Sequence, residues 1–283
     1  MNIAQKLIVN NIREKLANRR DFVQRVGMAS AGLAAFLAST DSASGQSTIT
    51  DVDILQFALN LEYLEAEFYT FARLGRTIDQ MGIGITGSGT TGATTGGQKV
   101  NFIEGSTLAQ SADEIGADER AHVMLLRGAL TAAGVQPVAK PAINLNALGS
   151  GFESQEAFIA LGRAFEDVGV SAYGGAAPLI QSKAYLGVAA RILAAEAEHT
   201  GNLRLHAALY QVKTAALDAV DIIPPPSGGR YISLDSSGLT AVRTPGQVLN
   251  IVYGGAGRSS GAFFPNGANG NLRTSDGAAT LGT

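Results

Sequence analysis

Two copies of the motif Glu-x-x-His lie within stretches of helix-forming residues, one with Glu119 and His122 and the other with Glu196 and His199. On an α-helix, residues three apart share a face about one turn apart, so each copy can present a carboxylate and an imidazole to one point. Two such helices, with one further glutamate from each of two other helices, form the ligand set of a carboxylate-bridged dimetal site in a four-helix bundle. The motif therefore calls for two more helices that each carry an inward-facing glutamate.

Glu62 and Glu166 are the glutamates that fit this requirement. Each is followed seven residues later by a tyrosine on the same helical face, Tyr69 or Tyr173. The chain thus reads Glu-x6-Tyr and then Glu-x-x-His, twice over, with each ligand on the apolar side of its helix. This repeat predicts a pseudo-symmetric dimetal centre. Its predicted ligands are Glu62, Glu119, His122, Glu166, Glu196 and His199, with Glu119 and Glu196 as the bridging carboxylates.

The energetics of burial favour metal ions at such a cluster. Ionised carboxylates that converge in a bundle core each carry a desolvation cost of several kcal/mol and repel one another. Two divalent cations would neutralise four carboxylates, and carboxylate and imidazole ligands suit iron or manganese, although affinity alone also admits zinc. We therefore expect two iron or manganese ions. The alternatives are that each Glu-x-x-His is a solvent-exposed helix pair, or that the bundle keeps these residues but binds metal weakly.

Several nearby residues are left with open roles. Glu65 lies one turn from Glu62, and it can replace Glu62 as a ligand, add a third carboxylate at an open coordination position, or face solvent. Tyr69 and Tyr173 are expected to be core phenols near the metals, and a role as hydrogen-bond partners or electron donors is the less favoured interpretation. His206 is expected to be a packed core histidine and stays outside the ligand set. The sequence assigns no separate catalytic residue.

Four helices are predicted from apolar periodicity, at about residues 50–76, 107–133, 153–181 and 182–216. Gly174, Gly175 and Pro178 should kink or break the end of the third helix. The Gly/Thr-rich stretch 82–97 predicts a long mobile crossover loop or a short hairpin. The fold class is therefore an all-α up-down four-helix bundle at residues 46–218, followed at 219–283 by an irregular Gly/Pro-rich segment that docks on it. Within that segment, residues 247–253 can form a short helix or a strand.

The first 45 residues predict an export signal. Arg19 and Arg20 are followed by a polar residue and Phe22, then by a modest apolar stretch and small residues that suit a signal peptidase. This pattern resembles the twin-arginine signal, which predicts a periplasmic or extracellular protein. The alternative is an amphipathic N-terminal helix of the mature protein.

Composition narrows the function classes. The net charge of −3 gives no electrostatic basis for binding nucleic acid. The chain has no cysteine, which excludes disulfides, thiolate metal sites and cysteine nucleophiles. The apolar stretch near the N-terminus is too short for a transmembrane helix, so no integral membrane segment is expected after the signal is removed.

The helix pattern resembles the ferritin-like superfamily, and the Glu-x6-Tyr spacing is similar to that of rubrerythrins. The strings LQFALNLEYLEAEFY at residues 55–69, DERAH at 118–122 and GAFFPNGANG at 261–270 look like the ferritin-like desiccation-related proteins. The resemblance covers about residues 50–272 and implies the fold strongly. It implies chemistry weakly, because similar ligands in this fold serve iron oxidation, peroxide reduction, catalase chemistry and oxygenation. The cysteine-held iron site of rubrerythrins has no counterpart here.

Two functions of different classes follow. The leading hypothesis is an exported dimetal oxidoreductase for stress protection, with peroxide, oxygen or ferrous iron as small substrates. The alternative is a non-catalytic extracytoplasmic desiccation or stress protein whose metals are structural or vestigial. A homo-oligomer is compatible with either, and a third interpretation, iron storage, requires a hollow one.

Overall fold

The computed structural model describes residues 49–281. The predicted signal at residues 1–45 lies outside this part of the chain. Four long helices dominate the described residues, as the periodicity predicts. They are α1 (Asp51–Leu74), α2 (Thr107–Ala132), α3 (Gln155–Ala176) and α4 (Lys183–Leu209).

Each long helix begins at a polar residue that caps its first turn. The Thr50 side chain accepts a hydrogen bond from the backbone N–H of Asp53, and the Asp53 carboxylate accepts one from the backbone N–H of Thr50, which completes a capping box. Ser106, Ser154 and Ser182 cap the other three helices in the same way, with the side chain accepting from a backbone N–H. Helix α1 ends at Leu74 and is capped by Gly75, whose φ of 64° is a left-handed conformation that favours glycine.

The helices pack as two pairs, α1 on α2 and α3 on α4, with fewer contacts joining α1 to α3 and α2 to α4. Helix α1 is buried along most of its length, from Ile54 to Thr70, because chain packs around all its sides. This continuous burial is wider than the apolar stripe predicted from periodicity. It encloses the polar face that carries Glu62 and Glu65.

The connection between α1 and α2 is predicted to be a long mobile loop or a short hairpin, and the part of the chain that the structure describes has no hairpin there. This connection contains strand β1 (Thr94–Thr95), which pairs in parallel with β2 (Ile143–Asn144) from the connection between α2 and α3. An isolated parallel bridge joins Ser88 to Val138. Gly87 and Gly92 fit tightly against this second connection, where a Cβ would lie 2.0 and 2.2 Å from backbone atoms. The glycines therefore serve close strand contact as well as turning.

Helix α3 ends within the stretch where a kink or break is predicted, whereas α4 ends earlier than predicted. Helix α3 passes through Gly174 and Gly175 and ends at Ala176, and a 3-10 turn follows at Ala177–Leu179. Gly175 is needed for close approach, since a Cβ there would lie 2.1 Å from the carbonyl oxygen of Arg243. Helix α4 ends at Leu209 instead of near residue 216, because Gln211 has a φ of 55° and turns the chain back.

The C-terminal part of the described chain lies against the bundle. It contains one short helix, α5 (Pro245–Tyr253), and three buried aromatic residues, Tyr253, Phe263 and Phe264. Polar contacts join the segment to α3, since Arg163 of α3 contacts Asp221 at 2.8 Å and Arg243 donates to Ser171 of α3 at 2.8 Å. Within the segment, Arg243 also pairs with Asp218 at 2.7 Å. Among residues 49–281, no helix combines the length and apolar character needed to cross a membrane.

Candidate metal centre

Six side chains from the four long helices converge at one buried point in the bundle. They form two overlapping clusters, each with four ligand atoms within 4.8 Å of one another. The two clusters share Glu119 of α2 and Glu196 of α4. The first cluster is Glu62, Glu119, His122 and Glu196, and the second is Glu119, Glu166, Glu196 and His199. The structure therefore brings together all six residues that the spacing predicts as ligands.

The two imidazoles face the carboxylates through their Nδ1 atoms. His122 Nδ1 lies 3.3 Å from Glu62 Oε2 and 3.5 Å from Glu119 Oε2. His199 Nδ1 lies 3.1 Å from Glu119 Oε1 and 3.2 Å from Glu166 Oε2. Glu119 thus directs one oxygen to each histidine. This is the geometry expected of a carboxylate that lies between two metal positions and is shared by both clusters.

The two tyrosines bind the carboxylates of the opposite helix. Tyr69 of α1 donates its hydroxyl hydrogen to Glu166 Oε1 of α3 at 2.5 Å. Tyr173 of α3 donates to Glu62 Oε1 of α1. Glu62 and Glu166, which each belong to only one cluster, are the terminal glutamates of the site. Each has one oxygen bound by a tyrosine hydroxyl and one oxygen that faces the histidine of its cluster. The crosswise pairing ties α1 to α3 at the level of the site.

Many polar atoms in the clusters have no hydrogen-bond partner among residues 49–281. Buried polar groups are normally paired, so a concentration of unpaired ones needs an explanation. The unpaired atoms are Glu62 Oε2, both oxygens of Glu119, both oxygens of Glu196, and His122 Nδ1. All of them are carboxylate oxygens or an imidazole nitrogen, and these are ligand atoms that suit iron, manganese or zinc. The donor set therefore fits a metal centre.

Comparison with known proteins agrees with this architecture. Residues 50–209 match the model of the family described as "Ferritin-like domain". The chain belongs to the ferritin-like family. It is also 24% identical over 272 residues to the "Ferritin-like catalase Nec2" of Nesocodon mauritianus, covering 78% of this chain and 84% of that protein. The narrower resemblance to desiccation-related proteins stays a prediction.

Burial and mutual repulsion shift the protonation of this ferritin-like site. Burial raises the pKa of Glu119 to about 7, with further contributions from the charges of Glu62 and Glu166. Burial and the neighbouring carboxylates also raise the pKa of Glu196 and of Glu65 well above the usual range. Without a bound cation, the cluster therefore keeps protons on carboxyl groups at neutral pH. A cation would displace those protons.

The histidines shift in the opposite sense to the one that burial alone would give. Burial lowers the pKa of His199, but the close contacts with the carboxylates of Glu119 and Glu166 outweigh it and raise the pKa to about 12. Burial also lowers the pKa of His122. Contacts with Glu119, Glu196 and Glu62 outweigh this effect, so the pKa of His122 is raised. Both imidazoles thus carry positive charge when no metal supplies it.

Glu65 is buried beside the clusters, so the solvent-facing interpretation is wrong. It belongs to neither group of four converging ligand atoms. Gly169 explains how the carboxyl fits. A Cβ on Gly169 would lie 2.3 Å from Glu196 Oε2 and 3.3 Å from Glu65 Oε1, so the glycine leaves space for both carboxyl groups.

The sequence reasoning missed one partner of the site, Asp118. Its Oδ2 lies 3.3 Å from His199 Nε2, on the side of the ring away from the carboxylates. The contact joins α2 to α4, and only its position next to Glu119 hinted at it. His206 is buried outside both clusters and packs edge-on against Tyr210, with ring centroids 5.9 Å apart. Burial lowers its pKa, as expected for a packed neutral histidine.

Proposed function

We propose that this ferritin-like protein holds two iron or manganese ions in its buried clusters and disposes of peroxide there. The observation that carries the proposal is the pair of four-residue clusters that share Glu119 and Glu196. Glu62 and His122 would complete one metal position, and Glu166 and His199 the other. The unpaired oxygens of the shared glutamates supply the reason for cations at this point.

When bound, two such ions supply two-electron exchange with peroxide in a site closed to bulk water. The chain's own residues orient and enclose that chemistry. Tyr69 and Tyr173 fix the rotation of Glu166 and Glu62, so that one oxygen of each faces the cluster. Asp118 holds the outer nitrogen of His199. Glu65 can hold a proton beside Glu196 and release it to a departing oxygen.

Two observations favour peroxide over other substrates. The relative from Nesocodon mauritianus is named as a catalase. In addition, the chain has no cysteine, so it carries no thiolate-held iron that would deliver electrons from within the same chain. Disproportionation needs no such donor, because two hydrogen peroxide molecules yield two water molecules and one dioxygen. One peroxide is the oxidant and the other the reductant.

The test compares metal content and oxygen release in matched variants. Protein purified from its own host is analysed for metals, and dioxygen is followed with an electrode after hydrogen peroxide is added. Glu119→Ala with Glu196→Ala should lose the metals and evolve no more oxygen than buffer. The control is Glu114→Ala with Glu198→Ala, which removes two exposed carboxylates from the same two helices. It should match the unchanged protein.

Other outcomes identify the competing functions. Metal-loaded protein that is folded, strongly stabilised by its metals and silent toward peroxide would overturn the proposal in favour of the non-catalytic stress protein. Oxidation of added ferrous iron, without oxygen release from peroxide, would support the ferroxidase instead. Light scattering on the same sample tests iron storage, which requires a large hollow homo-oligomer.

Export by the twin-arginine route is a further part of the proposal. It is supported by Arg19 and Arg20 and by the apolar stretch that follows them. Replacing both arginines by lysine should keep the protein inside the cell while leaving its expression unchanged. Secretion of that variant at the normal level would refute this part alone.

A further inference from the structure

An apolar cavity of about 360 Å³ lies beside the candidate metal centre, with Glu65 and Gly169 in its lining. Its volume lies within the range of about 300–1,000 Å³ that is typical of small-molecule sites. Helices α1 and α3 form its inner wall with Leu61, Leu64 and Val168, and the C-terminal segment forms its outer wall with Ile251 and Phe263. Phe165 and Phe263 meet edge to face across the lining, with centroids 5.1 Å apart.

The polar end of this cavity is Glu65. It is the only ionisable residue in the lining, and 5% of its surface is exposed. The other lining residues are mostly apolar, so Glu65 places one carboxyl group at the end of an apolar space. Such an arrangement favours a ligand with an apolar body and a polar group that hydrogen-bonds to the carboxyl. Gly169 lies beside it in the lining, with Glu196 immediately behind.

We propose that this cavity binds a small organic molecule with an apolar body and one hydroxyl head, and that the head bonds to Glu65. The apolar lining fits the body, and the edge-to-face pair of phenylalanines favours an aromatic ring. Hydrogen peroxide itself needs no apolar space of this size. The cavity also gives the C-terminal segment a role, because that segment closes a site that the four long helices leave open.

Only the fate of the bound molecule rests on the proposed metal chemistry. The position of the head next to Glu196 places it beside the proposed metals, as a co-substrate would lie. Binding itself requires the cavity and Glu65 and no turnover. A redox-inert probe therefore tests this inference separately from peroxide disposal.

The experiment uses the full chain as purified and two probes of the same shape, 2-phenyl-2-propanol and tert-butylbenzene. Their dissociation constants are measured by ligand-observed NMR titration. Ala164→Phe places a ring in the cavity and should weaken both probes by tenfold or more. The matched control is Ala157→Phe, two turns earlier on the same helix and outside the lining, which should leave both constants unchanged.

Glu65→Leu tests the proposed hydrogen bond between the hydroxyl group of the ligand and Glu65. It should weaken the alcohol by about fivefold relative to the hydrocarbon, the value expected for one hydrogen bond. If Ala164→Phe fails to fold, Ala216→Trp replaces it, because Ala216 lines the cavity from an exposed position. The proposal is overturned if neither probe binds, if filling the cavity leaves binding unchanged, or if Glu65→Leu leaves the ratio of the two constants unchanged.

Metal content and oxygen release are recorded for the same samples. Probe binding in a protein without peroxide activity would sink the proposed function and leave this inference standing. Peroxide activity in a protein that binds neither probe would do the reverse.

Discussion

The two helix pairs carry the same ligands but different neighbours. Glu62 of α1 and Glu166 of α3 are each followed by a tyrosine at the same distance. Three residues after Glu62 stands Glu65, whereas three residues after Glu166 stands Gly169. One side of the centre therefore has an extra carboxyl group and the other has the space that accommodates it.

The second members of the pairs, α2 and α4, differ in the same manner. Asp118 precedes Glu119, and Ala195 precedes Glu196. Asp118 contacts the outer nitrogen of His199, so the histidine of α4 depends on a carboxylate of α2. The repeat therefore provides a symmetric ligand set, and the departures from symmetry add Glu65 beside the centre and Asp118 behind one of its two histidines.

Gly169→Ala should give the largest loss of metal affinity, because Gly169 provides the space in which one side of the centre differs from the other. The new Cβ would lie 2.3 Å from Glu196 Oε2, so a shared glutamate must move. We expect metal affinity to fall by about 100-fold or more, which exceeds the loss typical for a partner that only supports a ligand. Competition with a metal-sensitive dye measures this.

The control for that change is Gly128→Ala in α2. No atom lies within 4 Å of the Cβ it would add, and the position is exposed. Alanine in place of glycine inside a helix should stabilise the protein by about 1 kcal/mol and leave metal affinity unchanged. Equal metal affinity in the two alanine variants would contradict the role assigned to Gly169.

Metal removal should make stability depend on pH in a defined direction. Burial raises the pKa of Glu119 from 4.5 to about 7, so in metal-free protein its stabilising contribution is complete below pH 4.5 and is lost as pH rises through 7. His199 acts in the same sense, since its raised pKa gives stability that is complete below 6.5 and declines above it. The lowered pKa of Glu62 acts below 4.5 and does not oppose this trend.

Metal-loaded protein should show the reverse trend, because cations bind the deprotonated ligands. The difference in Tm between loaded and chelator-treated protein should therefore widen from pH 5 to pH 8. The shift at Glu119 corresponds to at most about 3 kcal/mol, or roughly 10 °C for a chain of this size. Differential scanning fluorimetry measures both states. A constant difference across this range would show that the buried carboxyls do not hold the metal.

Spacing identified the six converging residues, but it could not identify which groups they contact. A tyrosine seven residues after a glutamate shares the face of its own helix, and the structure pairs each tyrosine with the glutamate of the other helix. The sequence left Glu65 undecided because Gly169, which makes room for it, belongs to another helix. Gly175 looked like a helix breaker, yet it serves contact with Arg243. Local rules thus give the helices and their faces, whereas contacts between distant segments decide the rest.

Tyr69→Phe and Tyr173→Phe compare the two sides directly. Each removes one phenol and leaves a buried carboxylate oxygen without its donor, at a cost of about 1–3 kcal/mol. We expect metal affinity to fall by 10- to 100-fold in each variant, and by similar factors if the two terminal positions are equivalent. Tyr185→Phe, outside both clusters, is the control. Unchanged affinity in both site variants would remove the tyrosines from the proposed centre.

Asp118→Asn should give the smallest effect and the most selective one. The side chain of Asp118 is 58% exposed, so solvent weakens its interaction with His199, and we expect less than a tenfold loss of metal affinity. The loss should be confined to one of two titration steps, because the contact reaches only His199. Glu114→Gln removes the charge of an exposed carboxylate one turn earlier on α2 and is the matched control. If both steps weaken equally, the carboxylate acts through general charge, and the two halves of the centre are more alike than their sequences indicate.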